Sequence, residues 1–434
     1  MIKTYEDALL WIHSRLRLGI KPGLLRMEWM MSRLGNPEKK IKGIHVAGTN
    51  GKGSTVCYLR NILQQAGYTV GTFTSPYFEL FNERISVNGV PISNQELIDL
   101  VNIVKPLAEE LEKTELGSPS EFEVITAMSF IYFGSENSAV DVVVFETGLG
   151  GRLDSTNIFV PMVSVITNIG FDHMDFLGNT LKEISSEKAG IIKANVPVIT
   201  SVEQPEALEV IVDKAKEQAS QFMVMGIDYL ITSQHSTDQG ERFSVRTNRQ
   251  LYEEMGITMK GAHQVKNASL ALMVIEYLRE NKLIEVTNDE IRAGLKEAIW
   301  IGRFEQVAAN PTIILDGAHN PEGVESLIQT VKSHLNDRKV HIIFSALKDK
   351  KLEEMIGKLV TIADSITFTS FDFPRVSSAK ELFEINVSHP NKQYKESWQE
   401  AIDQKRVDLN ENEVLLITGS LYFLSEVRPY VKNF

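Results

Sequence analysis

Cysteine is nearly absent: Cys57 is the only one in 434 residues. A single thiol excludes an internal disulfide and any thiolate metal cluster within one chain, and it points to a reducing, cytoplasmic setting. Cys57 itself lies in the helical stretch behind a glycine-rich turn and is expected to be core, not reactive. Positive charge is also in deficit. With 45 Lys and Arg against 57 Asp and Glu, the formal net charge is -12, which disfavours a nonspecific nucleic-acid binder. No run of about 18 apolar residues occurs, so no membrane-spanning helix is expected. The first residues, MIKTYEDALLWIHSRL, carry Glu6, Asp7 and His13 among apolar positions. They read as an amphipathic helix, not a signal peptide. Solenoid repeats and low-complexity segments are lacking as well. The expectation is a soluble, cytoplasmic monomer that handles small molecules, with neither nucleic acid nor membrane as partner.

What the chain does have is length and alternation. At 434 residues it exceeds a single hydrophobic core, so two domains are expected. Apolar runs IKGIHV, YTVGTFTS (68–75), VDVVVFET (140–147), MVSVITN (162–168) and VPVITS (196–201) alternate with helical patterns. Such near-continuous Val/Ile/Thr runs indicate a parallel sheet covered on both faces. A second series follows the helix-rich stretch 264–299: PTIILD (311–316), KVHIIFSAL (339–347), DSITFTSF (364–371) and EVLLITGS (413–420). The fold class is therefore α/β, with a P-loop, parallel-sheet N-terminal domain over 1–298 and a smaller Rossmann-like C-terminal domain over 299–434. The polar stretch 226–259, with alternation at ERFSVRT, reads as a small antiparallel excursion.

Ligands of open parallel sheets bind beyond the carboxyl ends of the strands, so the polar residues there carry the information. The first run ends in HVAGTNGKGST, which places Gly48, Thr49, Asn50, Gly51, Lys52, Gly53 and Ser54 between a strand and a helix. This is the layout of a phosphate-binding loop with unusual spacing. Backbone N–H groups and the helix N-terminus can hold phosphate oxygens while Lys52 neutralises them. The next run ends in TSP, with Ser75 just beyond its apolar part. Glu146 closes the run 140–147, where an acid calls for a cation as partner. The run 162–168 leads to Asp172, His173 and Asp175. Hydroxyl, carboxylate and imidazole thus gather near the loop, as Mg²⁺ bridging ATP phosphates requires, although imidazole is an unusual ligand for so hard an ion. Lys188 lies on a helix in SSEKAGIIK, where a solvated lysine is the plain reading. Asp316 and His319 end a strand of the second series.

GTNGKGS (48–54), TSP (74–76), ETGLGGRLDSTN (146–157), DHMDFLG (172–178), SEKAGIIK (186–193), GRFE (302–305) and DGAHNP (316–321) resemble the folylpolyglutamate synthase/dihydrofolate synthase family, within the wider group of Mur-type ATP-dependent amide ligases. The likeness spans essentially the whole chain. It implies that ATP, a co-substrate, phosphorylates a carboxylate whose acyl phosphate is then attacked by the amine of L-glutamate. By position it implies Ser75, Glu146 and His173 as Mg²⁺ ligands, and Asn267, Arg303 and Asp316 as ATP contacts beside the loop. Lys52 and His173 fall in its catalytic set, as does Lys188, which the family carries as a carbamate. Ser120, Glu121, Phe122 and Glu123, with Leu153, Asp154 and Ser155, are the implied folate or dihydropteroate contacts; His319 and Ser420 are those for glutamate. Two other readings share the loop. A Mur ligase of peptidoglycan precursors should lack the SEFE and LDSTN positions. A P-loop nucleotide switch reading GTP should show N-K-x-D, and neither Asn281-Lys282 nor Asn391-Lys392 is followed by that Asp.

Overall fold

The computed structural model describes residues 1–135 and 140–434. They form two compact units: Met1–Thr232, Val245–Tyr252 and Lys266–Glu297 in the first; Ser233–Ser244, Glu253–Val265 and Ala298–Phe434 in the second. Among the described residues, no helix is long and apolar enough to cross a membrane.

The first unit is built on an eight-stranded sheet: β1 (Gly43–Ala47), β2 (Val70–Phe73), β3 (Ile85–Val87), β4 (Val90–Pro91), β5 (Val142–Glu146), β6 (Val163–Ile166), β7 (Val198–Thr200) and β8 (Phe222–Val224), in the order β4-β3-β2-β5-β1-β6-β7-β8. From β2 to β8 the pairing is parallel. Every residue of β1, β5 and β6 is buried, which is why their sequences read as continuous apolar runs. The β3–β4 hairpin is the antiparallel edge. Its turn, Asn88-Gly89, has φ of 53° and 76°, the left-handed pair a two-residue hairpin prefers. Under β5 the Phe145 ring lies 5.0 Å from Phe130 and 4.9 Å from Phe159. Burying one such ring contributes roughly 1.5–3 kcal/mol and anchors the strand whose next residue is Glu146.

Strands β9 (Tyr229–Thr237), β10 (Gly240–Thr247) and β11 (Leu251–Ile257) form a separate three-stranded sheet with β10 in the middle. Their short connections leave only antiparallel pairing, as the alternation at ERFSVRT suggested.

The second unit contains β12 (Glu305–Ala309), β13 (Thr312–Asp316), β14 (Lys339–Phe344), β15 (Ser365–Ser370), β16 (Lys392–Ser397) and β17 (Glu413–Thr418), in the order β12-β13-β17-β14-β15-β16. All pairs are parallel except β12–β13. The edges β12 and β16 were not apparent in the sequence because they are half-exposed and carry no apolar run.

Candidate active site

The loop after β1 is held in shape from β6. The Thr49 N–H donates to Asn168 O at 3.0 Å, the Asn50 N–H to Asn168 Oδ1 at 2.7 Å, and Thr167 Oγ1 to Asn50 O at 2.6 Å. Gly48 has φ of 153°, and a Cβ there would collide with Thr167 Oγ1. Gly51 has φ of 86° and lies under the Asn267 side chain, which a Cβ would likewise strike. The helix Lys52–Gln65 starts at once, so its N-terminal N–H groups and dipole face the loop. Lys52 Nζ folds back onto the carbonyls of Gly48 (3.0 Å) and Thr49 (3.2 Å). Gly53 is half-buried in the first turn, and Ser54 is buried.

The Glu146 carboxylate lies on the same rim. Its Oε1 is 4.0 Å from Lys52 Nζ, and its Oε2 accepts the Ser75 N–H at 3.4 Å, beside a cis Ser75–Pro76 bond. A carboxylate and a neighbouring hydroxyl are hard oxygen donors of the kind Mg²⁺ takes, so these residues fit that ion. His173 sits on the loop after β6 with φ of 50°, exposed, its N–H donating to Asp172 Oδ1 at 3.0 Å. Among the described residues no three His, Cys, Asp or Glu side chains gather as a metal cluster.

Lys188 is not a solvated helix lysine. It comes from the helix Leu181–Ala189, is 3% exposed, and donates to the Gly48 carbonyl at 3.0 Å, the same oxygen that Lys52 uses. Burial, then the Lys52 charge, pulls its ammonium down to about 7, against the pull of Asp172 and Asp154. A substantial neutral-amine fraction therefore exists near neutral pH.

The segments assigned to folate meet at the turn after Glu146. The Phe122 ring packs over Gly148, whose Cβ it would exclude, and lies 5.8 Å from Phe73. Ser120 and Glu123 cap the helix Glu121–Gly134: Ser120 N donates to Glu123 Oε2 at 2.7 Å, and Glu123 N to Ser120 Oγ at 3.3 Å. The other oxygen of buried Glu123 takes Arg26 Nε at 2.7 Å. Glu121 Oε1 lies 3.5 Å from His13 Nδ1 and 3.9 Å from Arg84 Nη2. The Leu153 carbonyl accepts the Gly23 N–H at 3.5 Å, Ser155 is buried, and Asp154 receives the Leu149 N–H at 2.8 Å. Sequence reasoning missed Arg26, Arg84, Thr167 and Asn168. For Asn168 a signal existed, since it ends the run MVSVITN.

In the second unit, buried Asp316 ends β13 and accepts N–H groups of Phe304 and Ala318, both at 2.9 Å. Burial raises its acid, while Arg303 opposes that shift. His263, also missed, stands near Arg303; burial first and then that charge hold it down at about 4. His319 Nδ1 contacts Gly317 O at 2.8 Å. Ser420 is buried at the start of the helix Leu421–Lys432, with its hydroxyl not used as the cap.

A phosphate loop backed by a carboxylate and two lysines, on one of two α/β units, defines a nucleotide-dependent enzyme of the ligase type. Two family models agree: the Mur ligase middle domain matches residues 46–275, and the Mur ligase, glutamate ligase domain, residues 302–421. The chain is 50% identical over 432 residues to the dihydrofolate synthase/folylpolyglutamate synthase of Bacillus subtilis (strain 168), covering 100% of both. It also resembles the crystal structure of Mycobacterium tuberculosis folylpolyglutamate synthase complexed with ADP and AMPPCP, with a TM-score of 0.91, 28% identity and coverage of 98% of this chain and 99% of that one. An FPGS–AMPPCP–folate complex matches with a TM-score of 0.86 and 32% identity, covering 99% and 100%. The chain belongs to the folylpolyglutamate synthase/dihydrofolate synthase family of Mur-type ATP-dependent ligases.

Proposed function

We propose that this protein joins the amine of L-glutamate to a folate carboxylate, converting ATP to ADP and phosphate. The observation that carries the reading is the convergence of Lys52, Lys188 and Glu146 on the loop at Gly48. The loop N–H groups not already given to Asn168, together with the helix N-terminus, hold the phosphates, and Lys52 neutralises charge as the γ-phosphoryl group moves. Glu146, Ser75 and His173 would hold Mg²⁺, which when bound would supply neutralisation of phosphate charge. Asn267, Arg303 and Asp316 are the further ATP contacts, Arg303 being suited to phosphate by its planar fork. Residues 120–123 and 153–155 serve the folate side, and His319 and Ser420 the incoming glutamate. Lys188 is read as a carbamate: its lowered basicity supplies the neutral amine that reacts with CO₂, and the product is an anion facing the site.

In this chemistry a substrate carboxylate oxygen attacks the γ-phosphorus and ADP leaves. The glutamate amine then attacks the acyl carbon, and phosphate leaves with the former carboxylate oxygen. Substrate labelled with ¹⁸O in that carboxylate must therefore deliver label to the released phosphate; label retained only in acid or amide rejects the intermediate. Phosphate release measured with folate alone, glutamate alone and both together tests the activity itself, and only the full mixture should turn over.

A second acceptor is favoured by the name of the Bacillus subtilis relative, which carries both activities. We read this chain as also converting dihydropteroate to dihydrofolate, with Phe122 offering a flat apolar face to a ring. ADP formation with each acceptor at saturating glutamate decides it; turnover with tetrahydrofolate alone leaves a polyglutamate synthase only. The lone cysteine supports a reducing, cytoplasmic setting, and sedimentation reading one chain mass would establish the expected monomer.

A further inference from the structure

His45 is a polar residue in the middle of β1, fully buried, three residues before the phosphate loop. Its Nε2 lies 2.8 Å from Thr156 Oγ1, which lies 2.5 Å from Asp154 Oδ1. Asp154 is 4% exposed, and its other donors belong to the chain: the N–H groups of Leu149 (2.8 Å, to Oδ2) and Thr156 (3.0 Å, to Oδ1), with the Gly148 N–H completing the set.

The direction of this chain of contacts follows from donor arithmetic. Burial pushes the Asp154 carboxyl upward, but the Thr156 hydroxyl and three backbone N–H groups oppose that shift by holding the ionised form, and a carboxylate can only accept. The Thr156 hydroxyl must therefore give its single proton to Asp154, so its oxygen accepts from His45. His45 is then the neutral Nε2–H tautomer, with Nδ1 bare. Consistently, Nδ1 is buried without a hydrogen-bond partner, and burial together with the Lys193 charge pushes the imidazolium down to about 3.

We propose that His45, through Thr156, is a positioning residue for Asp154, and that Asp154 in turn fixes the Gly148–Leu149 turn between Glu146 and the Phe122 ring instead of binding folate through its carboxylate. The turn has one neighbour on each side. Glu146 stands two residues before it at the end of β5, and Phe122 packs directly on Gly148. The same segment is tied to the helix of Lys188, since Arg152 N donates to Glu187 O at 2.7 Å and Asn157 Nδ2 to Gly190 O at 2.9 Å. One buried knot thereby fixes the nucleotide-side acid and the floor of the folate side together. Acceptor contacts in this segment fall to Leu153, Ser155 and the main chain.

The inference rests on the ligase reading for its kinetic arm but not for its spectroscopic one. In ¹⁵N NMR of the full-length protein labelled at histidine, His45 should show the neutral Nε2–H pattern, unchanged between pH 8 and 5; an Nδ1–H or charged ring overturns the proposal. Thr156→Val keeps the shape and removes the relay, so kcat should fall about 10-fold with KM for glutamate unchanged, while Thr156→Ser restores most of it. His45→Gln, which returns an amide donor near Nε2, should outperform His45→Leu. Thermal unfolding and ADP binding establish that each variant is folded. If Thr156→Val does not fold, the tautomer and the His45 pair decide. Wild-type turnover in folded Thr156→Val, or equal rates for His45→Gln and His45→Leu, sinks the positioning role. Failure of the ligase reading would show differently, as wild-type protein without folate- and glutamate-dependent phosphate release.

Discussion

Asp154 in the first unit and Asp316 in the second are both buried acids whose carboxyls burial pushes upward, and both accept backbone N–H groups. They differ in what completes the set. Asp154 is closed by a hydroxyl and by donors of its own loop, whereas Asp316 has two backbone donors and the Arg303 charge beside it. An acid saturated by neutral donors is committed to shaping its loop. An acid facing a long-armed cation can share that cation, or its own lone pairs, with a ligand. The same residue type, buried in both units, is closed by its own loop in one and left beside a cation in the other.

The largest effects should come from Lys52 and Glu146 on the first unit's rim, not from either aspartate. Lys52→Ala and Glu146→Ala should each lose at least about 100-fold in turnover, because they act on charge that develops in the transition state. Near-normal rates in either folded variant would dissolve the first unit's rim as a site, and with it the contrast.

The contrast itself is tested by making the same change twice. Asp154→Asn turns acceptors toward N–H donors in a closed net and should destabilise the protein by about 1–3 kcal/mol in urea unfolding. Asp316→Asn should leave stability nearer wild type and raise KM for ATP on the order of 10-fold. Reversed outcomes, with Asp316 the structural residue, would refute the distinction.

Lys188 sharpens the picture through pH. Its folded value, about 7, lies below the 10.5 of an unhindered lysine. Between those values the unfolded chain binds the extra proton, so stability rises with pH across that window; the cost of the buried charge is complete below it. In bicarbonate-free buffer Lys188→Met should accordingly stabilise more at pH 6 than at pH 9, as read from urea midpoints. Equal gains at both would mean that the lysine titrates normally. Turnover should be lost in Lys188→Ala and partly restored by short carboxylic acids.

The smallest change expected is at Ser420, whose hydroxyl is not used to cap its helix. Ser420→Ala should raise KM for glutamate by about threefold, the size of one modest neutral hydrogen bond, with KM for ATP unmoved. Unchanged glutamate kinetics would remove it from the amino-acid side.

Legibility followed burial and chain proximity. The central strands were readable because both their faces are covered, so nearly every position must be apolar. The edge strands β12 and β16 were not, because half their residues face water. GTNGKGS announced a phosphate loop because glycine spacing and a following helix are local properties. SEFE carries no such local signature, since acids at a helix start suit solvent as well as a partner. Only folding shows Glu123 buried on Arg26, which lies 97 positions away.

What the sequence by itself determined is the succession of central strands and intervening helices, the loop with Lys52, and, through motif likeness, the family. These depend on period, turn chemistry and neighbours along the chain. Tertiary structure decided the charge and commitment of individual groups: Lys188 sharing one carbonyl with Lys52, His45 reaching Thr156, Asp154 closed and Asp316 beside Arg303. A group's protonation and its free lone pairs depend on which donors and charges surround it and on how much water is excluded, and those neighbours come from distant parts of the chain.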